Sequence, residues 1–124
     1  MTIQSGGGGL ISTTSDYIKF CLMLSNNGSY NGIRILTQES IDLMTKNQIG
    51  NINYPWDKGV KFGYGFYVVT DQSLSELMDS NGSFGWSGAA GTQFKIDPEN
   101  NLILILMTQR MHPWSGVWNV FNDM

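Results

Sequence analysis

The sequence predicts an α+β fold in which helices flank an antiparallel β-sheet. Two helical patterns come first, beginning near Thr13 and Thr37. Strand patterns follow at residues 62–69, 83–97 and 102–108, and a short helix is expected at the end of the chain. Helices and strands that are segregated along a sequence in this way are typical of α+β domains.

The first helix is predicted from its start signal and from one apolar face. Thr13 is a favourable N-cap, and Asp16 three residues later completes a capping-box pattern. Apolar residues then repeat at spacings of three and four, and they are Tyr17, Phe20, Cys21 and Leu24. Gly28, after two asparagines, ends the helix. We therefore assign this face to the core, with Cys21, the only cysteine, as a buried thiol.

A second helix is predicted between two connecting segments. Asn31-Gly32 is typical of a tight turn, and Thr37 can cap a helix of about three turns. That helix carries three apolar residues, Ile41, Leu43 and Met44. Tyr54-Pro55-Trp56 lies in the long loop that follows. A tryptophan in such a loop can line a cleft, but we expect these rings to pack beneath the loop.

The second half of the chain has the patterns of strands. Residues 62–69 alternate between large apolar and small side chains, which predicts a single strand. Gly63 and Gly65 leave one face of it nearly bare, as happens where another segment approaches closely. Residues 83–97 predict a hairpin with small residues at its bend. After a proline turn, the six apolar residues Leu102–Met107 are typical of a strand buried on both faces.

The two ends of the chain carry weaker signals. Ser5–Gly9 contains four consecutive glycines but matches neither of the glycine patterns that bind nucleotides, so we interpret it as a loop. Ser115 is a candidate cap for the final helix, whose apolar face would include Val117 and Phe121.

Composition excludes several classes of function. The 124 residues fit one domain, and 41% hydrophobic with 14% charged residues is typical of a folded chain. The net charge is −3 and the basic residues are scattered, so we predict no nucleic-acid partner. His112 is the only histidine and has no Cys or His neighbours, so we predict no metal and no cofactor. Neither a membrane segment nor a signal peptide is visible.

Three short motifs, taken in order, resemble those of one known family. They are Trp86-Ser87-Gly88, Ile96-Asp97-Pro98 and Met107-Thr108-Gln109, and residues 5–20 and 31–44 resemble the segments that precede them there. The sequence is similar to the C-terminal part of the serine β-lactamase and penicillin-binding-protein-like superfamily, and closest to its esterase-like branch. The resemblance implies a partial β-lactamase or transpeptidase-like fold. Members are often exported, but the sequence leaves the compartment of this protein open.

The resemblance also implies a chemistry. In that family an activated serine attacks the carbonyl of an ester, a β-lactam or a D-alanyl peptide and forms an acyl-enzyme. By position, the side of the substrate would be lined by Trp86, Ser87 and Gly88, and the backbone N–H of Ala89 would donate to the oxyanion. Trp86 stands where many members have Lys or His, which favours a neutral ester over a substrate carboxylate.

The nucleophile that this chemistry needs is not found. The family's Ser-x-x-Lys motif is absent, since Ser15 and Lys19 are four residues apart. Thr92-Gln93-Phe94-Lys95 has the spacing but lies on a predicted strand, where residues i and i+3 point to opposite faces. No Tyr-x-Asn motif occurs, and Ser25-Asn26-Asn27 is better explained as a helix end. We therefore expect residues 1–124 to form a single partial domain, a serine-hydrolase fragment that is inactive alone.

The same comparison with the family predicts self-association. In a complete family domain, the strand equivalent to Leu102–Met107 pairs with a strand near the N-terminus. Without that partner, the strand would leave a row of unpaired N–H and C=O groups, which invites another chain. A small-molecule substrate is the other partner that the resemblance implies.

Two other functions stay open from the sequence. Gly85–Ala89 falls one residue short of a Gly-x-Ser-x-Gly nucleophile elbow, and Asp97 and His112 follow Ser87 in the order of a Ser-Asp-His hydrolase. That elbow requires a strand, a turn and a helix in succession. A non-catalytic binding or scaffold module of the same fold needs no nucleophile at all. Trp86-Ser87-Gly88 is also compatible with a purely structural role in a tight hairpin.

Overall fold

The main feature of the structure is a five-stranded antiparallel sheet with a helix packed on one face. The structure is a computed structural model, and it describes residues 7–111 and 120–121. The helices are α1, Thr14–Ser25, and α2, Gln38–Met44. The strands, in chain order, are β1 Ser29–Tyr30, β2 Ile33–Arg34, β3 Val60–Phe62, β4 Tyr67–Val69, β5 Phe84–Ser87, β6 Gln93–Asp97 and β7 Leu102–Leu106. The predicted α+β class is confirmed.

Helix α1 begins and ends where the sequence predicts. The Thr13 hydroxyl accepts a hydrogen bond from the Asp16 backbone N–H at 3.2 Å, which satisfies one of the free donors of the first turn. After the last turn, the Gly28 N–H donates to the Met23 carbonyl at 2.8 Å. Gly28 has φ +90°, and a Cβ there would collide with the Leu36 carbonyl, so both the turn and the close approach require glycine.

The connection between the helices is a small hairpin, and its tight turn is at Asn31-Gly32 as predicted. Asn31 and Gly32 form the two-residue loop between β1 and β2, with φ of 49° and 78°. Thr37 caps α2, but α2 has seven residues and is shorter than the three turns that we predicted. Four residues beyond Met44, the Gln48 N–H donates to the Phe62 carbonyl of β3 at 2.8 Å.

The main sheet has the order β3-β4-β5-β6-β7, and every neighbouring pair is antiparallel. The prediction of one strand over residues 62–69 is wrong, because this segment turns back on itself to form the β3–β4 hairpin. The Gly63 N–H donates to the Phe66 carbonyl at 2.9 Å, and Gly65 supplies a φ of +93°. A Cβ at Gly63 would run into the Met44 carbonyl, so the expected close approach does occur there.

The hydrophobic core lies between α1 and one face of the sheet. The Tyr17 ring of α1 lies 5.3 Å from the Phe94 ring of β6, and Phe20 lies 6.3 Å from the same ring. The buried members of this core are Cys21, Met23, Leu24, Ile41, Phe66, Val68, Phe84, Phe94 and Ile96. Cys21 is completely buried, which confirms its assignment as a core thiol.

Strands β6 and β7 differ in their surroundings. All five residues of β6 are buried, because β6 lies between β5 and β7. The expectation that Leu102–Met107 is buried on both faces is wrong for the described part of the chain. There β7 is the edge strand and pairs with β6 alone, and Leu102 at its start is 38% exposed.

Parts of two predicted end segments lie outside the described residues. Residues 7–9 of the glycine-rich loop are exposed, whereas residues 5 and 6 are not described. Of the predicted final helix, Val120 and Phe121 are helical and Phe121 is buried, while Ser115 and Val117 lie outside the described ranges. Within those ranges, no helix is long and apolar enough to cross a bilayer.

Candidate functional site

The candidate site is the loop that follows β5, and two hydrogen bonds close it. The Gly88 N–H donates to the Thr92 carbonyl at 2.8 Å, and the Gly91 N–H donates to the Gly88 carbonyl at 2.9 Å. Gly91 has φ +79°, which glycine adopts without strain. A Cβ at Gly88 would lie 2.5 Å from the Thr92 hydroxyl oxygen. The small residues of this bend are therefore needed to form the hairpin, as the structural interpretation of the motif requires.

A second pair of hydrogen bonds ties the loop to the segment after β7. The Ala90 carbonyl accepts from the Arg110 N–H at 2.9 Å and from the Thr108 hydroxyl at 2.8 Å. Thr108 belongs to the third motif, Met107-Thr108-Gln109, so that motif contributes to holding the loop. Four hydrogen bonds thus fix the backbone on both sides of Ala89.

Ala89 itself is exposed, and its backbone N–H donates no hydrogen bond to any described residue. Ser87, the last residue of β5, is half-buried, and its hydroxyl likewise has no partner within the described ranges. One backbone donor and one hydroxyl therefore lie two residues apart on a fixed segment. Both are able to form hydrogen bonds with a ligand.

Trp86 connects this loop to a set of aromatic rings that the sequence did not reveal. Its ring lies 5.1 Å from that of Phe62 and is 40% exposed. Phe62 in turn stacks on Tyr54, which contacts Trp56. Trp56 is 73% exposed, so the expectation that it packs beneath its loop is wrong. The proximity of these rings could not be predicted because they come from three separate segments.

Lys95 is excluded as the lysine of a Thr-x-x-Lys nucleophile motif. Its ammonium lies 2.6 Å from the Asp79 carboxylate, with only 4% and 5% of the two side chains exposed. Lys95 also lies 5.7 Å from the centre of the Phe121 ring. Because neighbours on a strand point to opposite faces, Lys95 faces away from the α1 side that holds Phe94. It serves as half of a buried ion pair.

The Ser-Asp-His alternative does not fit the geometry around Ser87. Ser87 leads into a β-hairpin, whereas a nucleophile elbow requires a helix after the turn. Asp97 lies at the opposite end of β6 from Gln93, the residue that pairs with Ser87. Its carboxylate accepts hydrogen bonds from the Asn100 N–H at 3.0 Å and the Asn100 side chain at 2.8 Å. His112 lies outside the described residues.

Comparison with known families decides the membership of this chain. The model of the family described as Beta-lactamase matches residues 1–117, nearly the entire chain. The chain belongs to the Beta-lactamase family. The resemblance carried by the three motifs is thereby confirmed at the level of the family.

Relatives in this family are much longer than the chain. An uncharacterized protein of Mycobacterium tuberculosis is 36% identical over 115 residues, which cover 85% of this chain and 29% of that protein. A Salmonella paratyphi B protein, provisionally named a D-alanyl-D-alanine carboxypeptidase, is 26% identical over 111 residues, 87% of this chain and 24% of the relative. The chain thus spans less than a third of the length of these relatives.

Solved structures agree on the fold. EstCE1, described as a hydrolase with promiscuous acyltransferase activity, superposes with a TM-score of 0.70 at 22% identity, covering 87% of this chain and 28% of its own. A Bacillus anthracis protein, provisionally named a 6-aminohexanoate-dimer hydrolase, gives a TM-score of 0.68 at 21% identity, covering 90% and 27%. These Beta-lactamase-like structures share the arrangement of helices and antiparallel strands.

Proposed function

We propose that this chain supplies the substrate-lining strand and an oxyanion donor of a serine hydrolase of the Beta-lactamase family. The reaction would be acyl transfer from an ester, a β-lactam or a D-alanyl peptide through an acyl-enzyme. The observation that carries the proposal is Ala89, an exposed residue on a fixed loop, whose backbone N–H donates to no described residue. Ser87 and Gly88 would lie along the substrate, and Trp86 beside it.

The physical basis of this role is preorganisation. Attack on a carbonyl places negative charge on its oxygen, and a donor that is already oriented lowers the barrier without reorganisation. The loop hydrogen bonds from Gly88, Gly91, Thr108 and Arg110 supply this orientation for Ala89. Removing one such donor from an enzyme costs about 100- to 1000-fold in kcat.

The nucleophile in this proposal comes from outside the printed sequence. Ser15 and Lys19 do not form the Ser-x-x-Lys pair, and the Lys19 ammonium is 2.7 Å from the Asp16 carboxylate. An oxyanion donor lowers a barrier only when a nucleophile attacks. The chain alone is therefore expected to hydrolyse neither a β-lactam nor an ester.

The test measures hydrolysis of a chromogenic β-lactam and a short-chain nitrophenyl ester. The chain is assayed alone and with a nucleophile-bearing segment of the family, supplied as a separate polypeptide. Turnover is expected only for the mixture, and it should fall about 100-fold or more in Ala89→Pro, which lacks the N–H. Ala89→Gly, which keeps the N–H, is the matched control. Turnover by the chain alone that disappears in Ser87→Ala would overturn the proposal.

A non-catalytic module of the same fold is the second candidate. The absence of Ser-x-x-Lys from the printed sequence favours it. A mixture that forms a stable complex and binds the ester without turning it over would support this candidate over the hydrolase.

A further inference from the structure

Four aromatic side chains from separate segments form a continuous row that ends at β5. We call this set, Tyr54, Trp56, Phe62 and Trp86, the aromatic row. Trp56 meets Tyr54 edge-on with ring centres 5.1 Å apart, and Tyr54 stacks on Phe62 at 6.0 Å with an angle of 13°. Phe62 meets Trp86 edge-on at 5.1 Å. These are the separations and orientations of favourable ring pairs.

The aromatic row lies on the surface and is not part of the buried core around α1. Its middle members, Tyr54 and Phe62, are half-buried, whereas Trp56 and Trp86 at its ends are 73% and 40% exposed. Contiguous exposed aromatic surface on a folded protein marks sites that bind a ligand or a partner. Tryptophan and tyrosine suit such sites because they offer large apolar area with few rotatable bonds.

Two charged side chains near the aromatic row, those of Lys61 and Asp57, form hydrogen bonds within the segments around it. The Lys61 ammonium donates to the Ile52 carbonyl at 2.9 Å. The Asp57 carboxylate accepts from the Gly59 N–H, the Ser75 hydroxyl and the Glu76 N–H at 2.8 to 2.9 Å. The row itself consists of four rings and carries no charged group, so it favours an uncharged, apolar occupant over an ionic one.

The position of the row identifies its occupant. Trp86 immediately precedes Ser87, so the row begins at the strand end that would line the reacting carbonyl. We propose that the aromatic row binds the acyl chain of an uncharged ester substrate and sets the preferred length of that chain. This proposal rests on the proposed function, because it takes β5 as the strand beside the carbonyl.

The binding test uses unreactive probes and needs no turnover. The chain is titrated with butan-2-one, hexan-2-one and octan-2-one, and the indole N–H signals of Trp56 and Trp86 are followed by NMR. Affinity should rise about fourfold for each methylene that the row covers. Trp56→Ala should weaken octan-2-one about tenfold and leave butan-2-one within twofold. Tyr64→Ala is the matched control, since Tyr64 is 58% exposed in the neighbouring turn and is not a member of the row.

Three outcomes would overturn the inference. They are an affinity that does not rise with chain length, equal weakening by Tyr64→Ala and Trp56→Ala, and octanoate binding as tightly as octan-2-one. A turnover assay with the two-polypeptide mixture separates this inference from the proposed function. Hydrolysis of butanoate and octanoate nitrophenyl esters with a ratio unchanged in Trp56→Ala would overturn the row alone. Ketone binding at the row without hydrolysis of any ester would overturn the proposed function and leave the row supported.

Discussion

We call the face of the sheet opposite α1, at strand β5, the rear of β5. The charged groups there are buried and paired, whereas the end of β5 has a backbone donor without a partner among the described residues. Behind β5, Lys95 of the neighbouring strand pairs with Gly85, and its ammonium is bound to the buried Asp79 carboxylate. The Tyr67 hydroxyl lies 3.1 Å from the place where a Gly85 Cβ would stand, so it covers the strand from the same side. At the end of β5, Ala89 is exposed and its N–H has no acceptor among the described residues.

The difference between these two places depends on whether water can supply the hydrogen-bond partner. A buried charge is costly unless a partner is fixed beside it, so Lys95 and Asp79 occur as a pair. Burial, with a smaller contribution from the Asp79 charge, raises the pKa of the Tyr67 hydroxyl, which therefore stays protonated. The backbone N–H of an exposed residue can be satisfied by water and can exchange that water for a ligand. Losing one partner alone is therefore costly at the rear of β5, whereas the end of β5 is available for binding.

The largest expected effect comes from breaking the buried pair. Lys95→Met leaves the Asp79 carboxylate buried without its cation and should lower the free energy of unfolding by about 3–5 kcal/mol, measured by urea denaturation. The double variant Lys95→Met/Asp79→Leu should recover most of this loss, because both charges are removed together.

Lys19→Met is the matched control for that experiment. It breaks a pair of similar length, Lys19 with Asp16 at 2.7 Å, whose side chains are 53% and 62% exposed. Water replaces the partner at this surface site, so no measurable loss of stability is expected. A loss in Lys95→Met no larger than that in Lys19→Met would contradict the assignment of a structural role to the rear pair.

A smaller effect is expected from filling the bend at the end of β5. The Cβ of Gly88→Ala would lie 2.5 Å from the Thr92 hydroxyl oxygen, so the loop must shift. We expect a loss of about 1–3 kcal/mol in the free energy of unfolding. In a Thr92→Ala background the obstructing oxygen is absent, and the cost of the same substitution should fall by at least half. An unchanged cost in that background would show that some other contact restricts Gly88.

Local patterns in the sequence predicted correctly those elements that depend on contacts between residues close along the chain. Thr13 and Thr37 marked the two helix starts because a cap is a contact between residues a few positions apart. The hairpin over residues 83–97 followed from its alternation and its small-residue bend. Residues 62–69 were misassigned because alternating apolar residues and glycines suit a continuous strand and a tight hairpin equally well. The structure has the hairpin, with the Gly63 N–H donating to the Phe66 carbonyl and Gly65 at a φ of +93°.

The candidate site was proposed from the sequence for a similar reason. Trp86-Ser87-Gly88 and Ala89 were selected because the motifs of the family keep short spacings along the chain, and their role stays a prediction. Nothing in the sequence linked Trp56 to Trp86, or Asp79 to Lys95, since residues that meet through the fold leave no local pattern. The nonlocal partners are the ones that distinguish the rear of β5 from its exposed end.

The outer edge of β7 also has backbone groups that no described residue binds, and a strand of another chain could pair with them. Gly88 and Thr92 form a hydrogen-bonded pair, and such pairs alternate along antiparallel strands. Since the direction alternates from one residue to the next along β6, the N–H and C=O groups of Lys95 point toward β7. The N–H and C=O groups of Ile103 and Ile105 therefore point away from β6, toward an edge that no other described strand occupies.

We expect the chain to self-associate through this edge of β7. Leu102→Lys places a charge beside the edge and should shift the population toward monomer in light scattering over a range of concentrations. Leu74→Lys introduces the same charge at a site that is 57% exposed in the turn after β4, and two strands separate β4 from β7, so it should have no effect. A wild-type chain that stays monomeric at high concentration would count against the open edge as an interface.

The last prediction compares the core with the end of β5 by the rate at which a thiol is modified, and not by the free energy of unfolding. Cys21 is completely buried, and desolvation raises the pKa of its thiol from 9.0 to about 12. Because the thiolate is the reactive form, iodoacetamide at pH 8 should modify Cys21 at least about 100-fold more slowly in the folded chain than in urea. Ser87→Cys adds a second thiol at the proposed substrate strand, where partial exposure should permit modification of the folded chain. Rapid modification of Cys21 without urea would show that α1 opens from the sheet, and protection of the thiol introduced by Ser87→Cys would show that the end of β5 is covered.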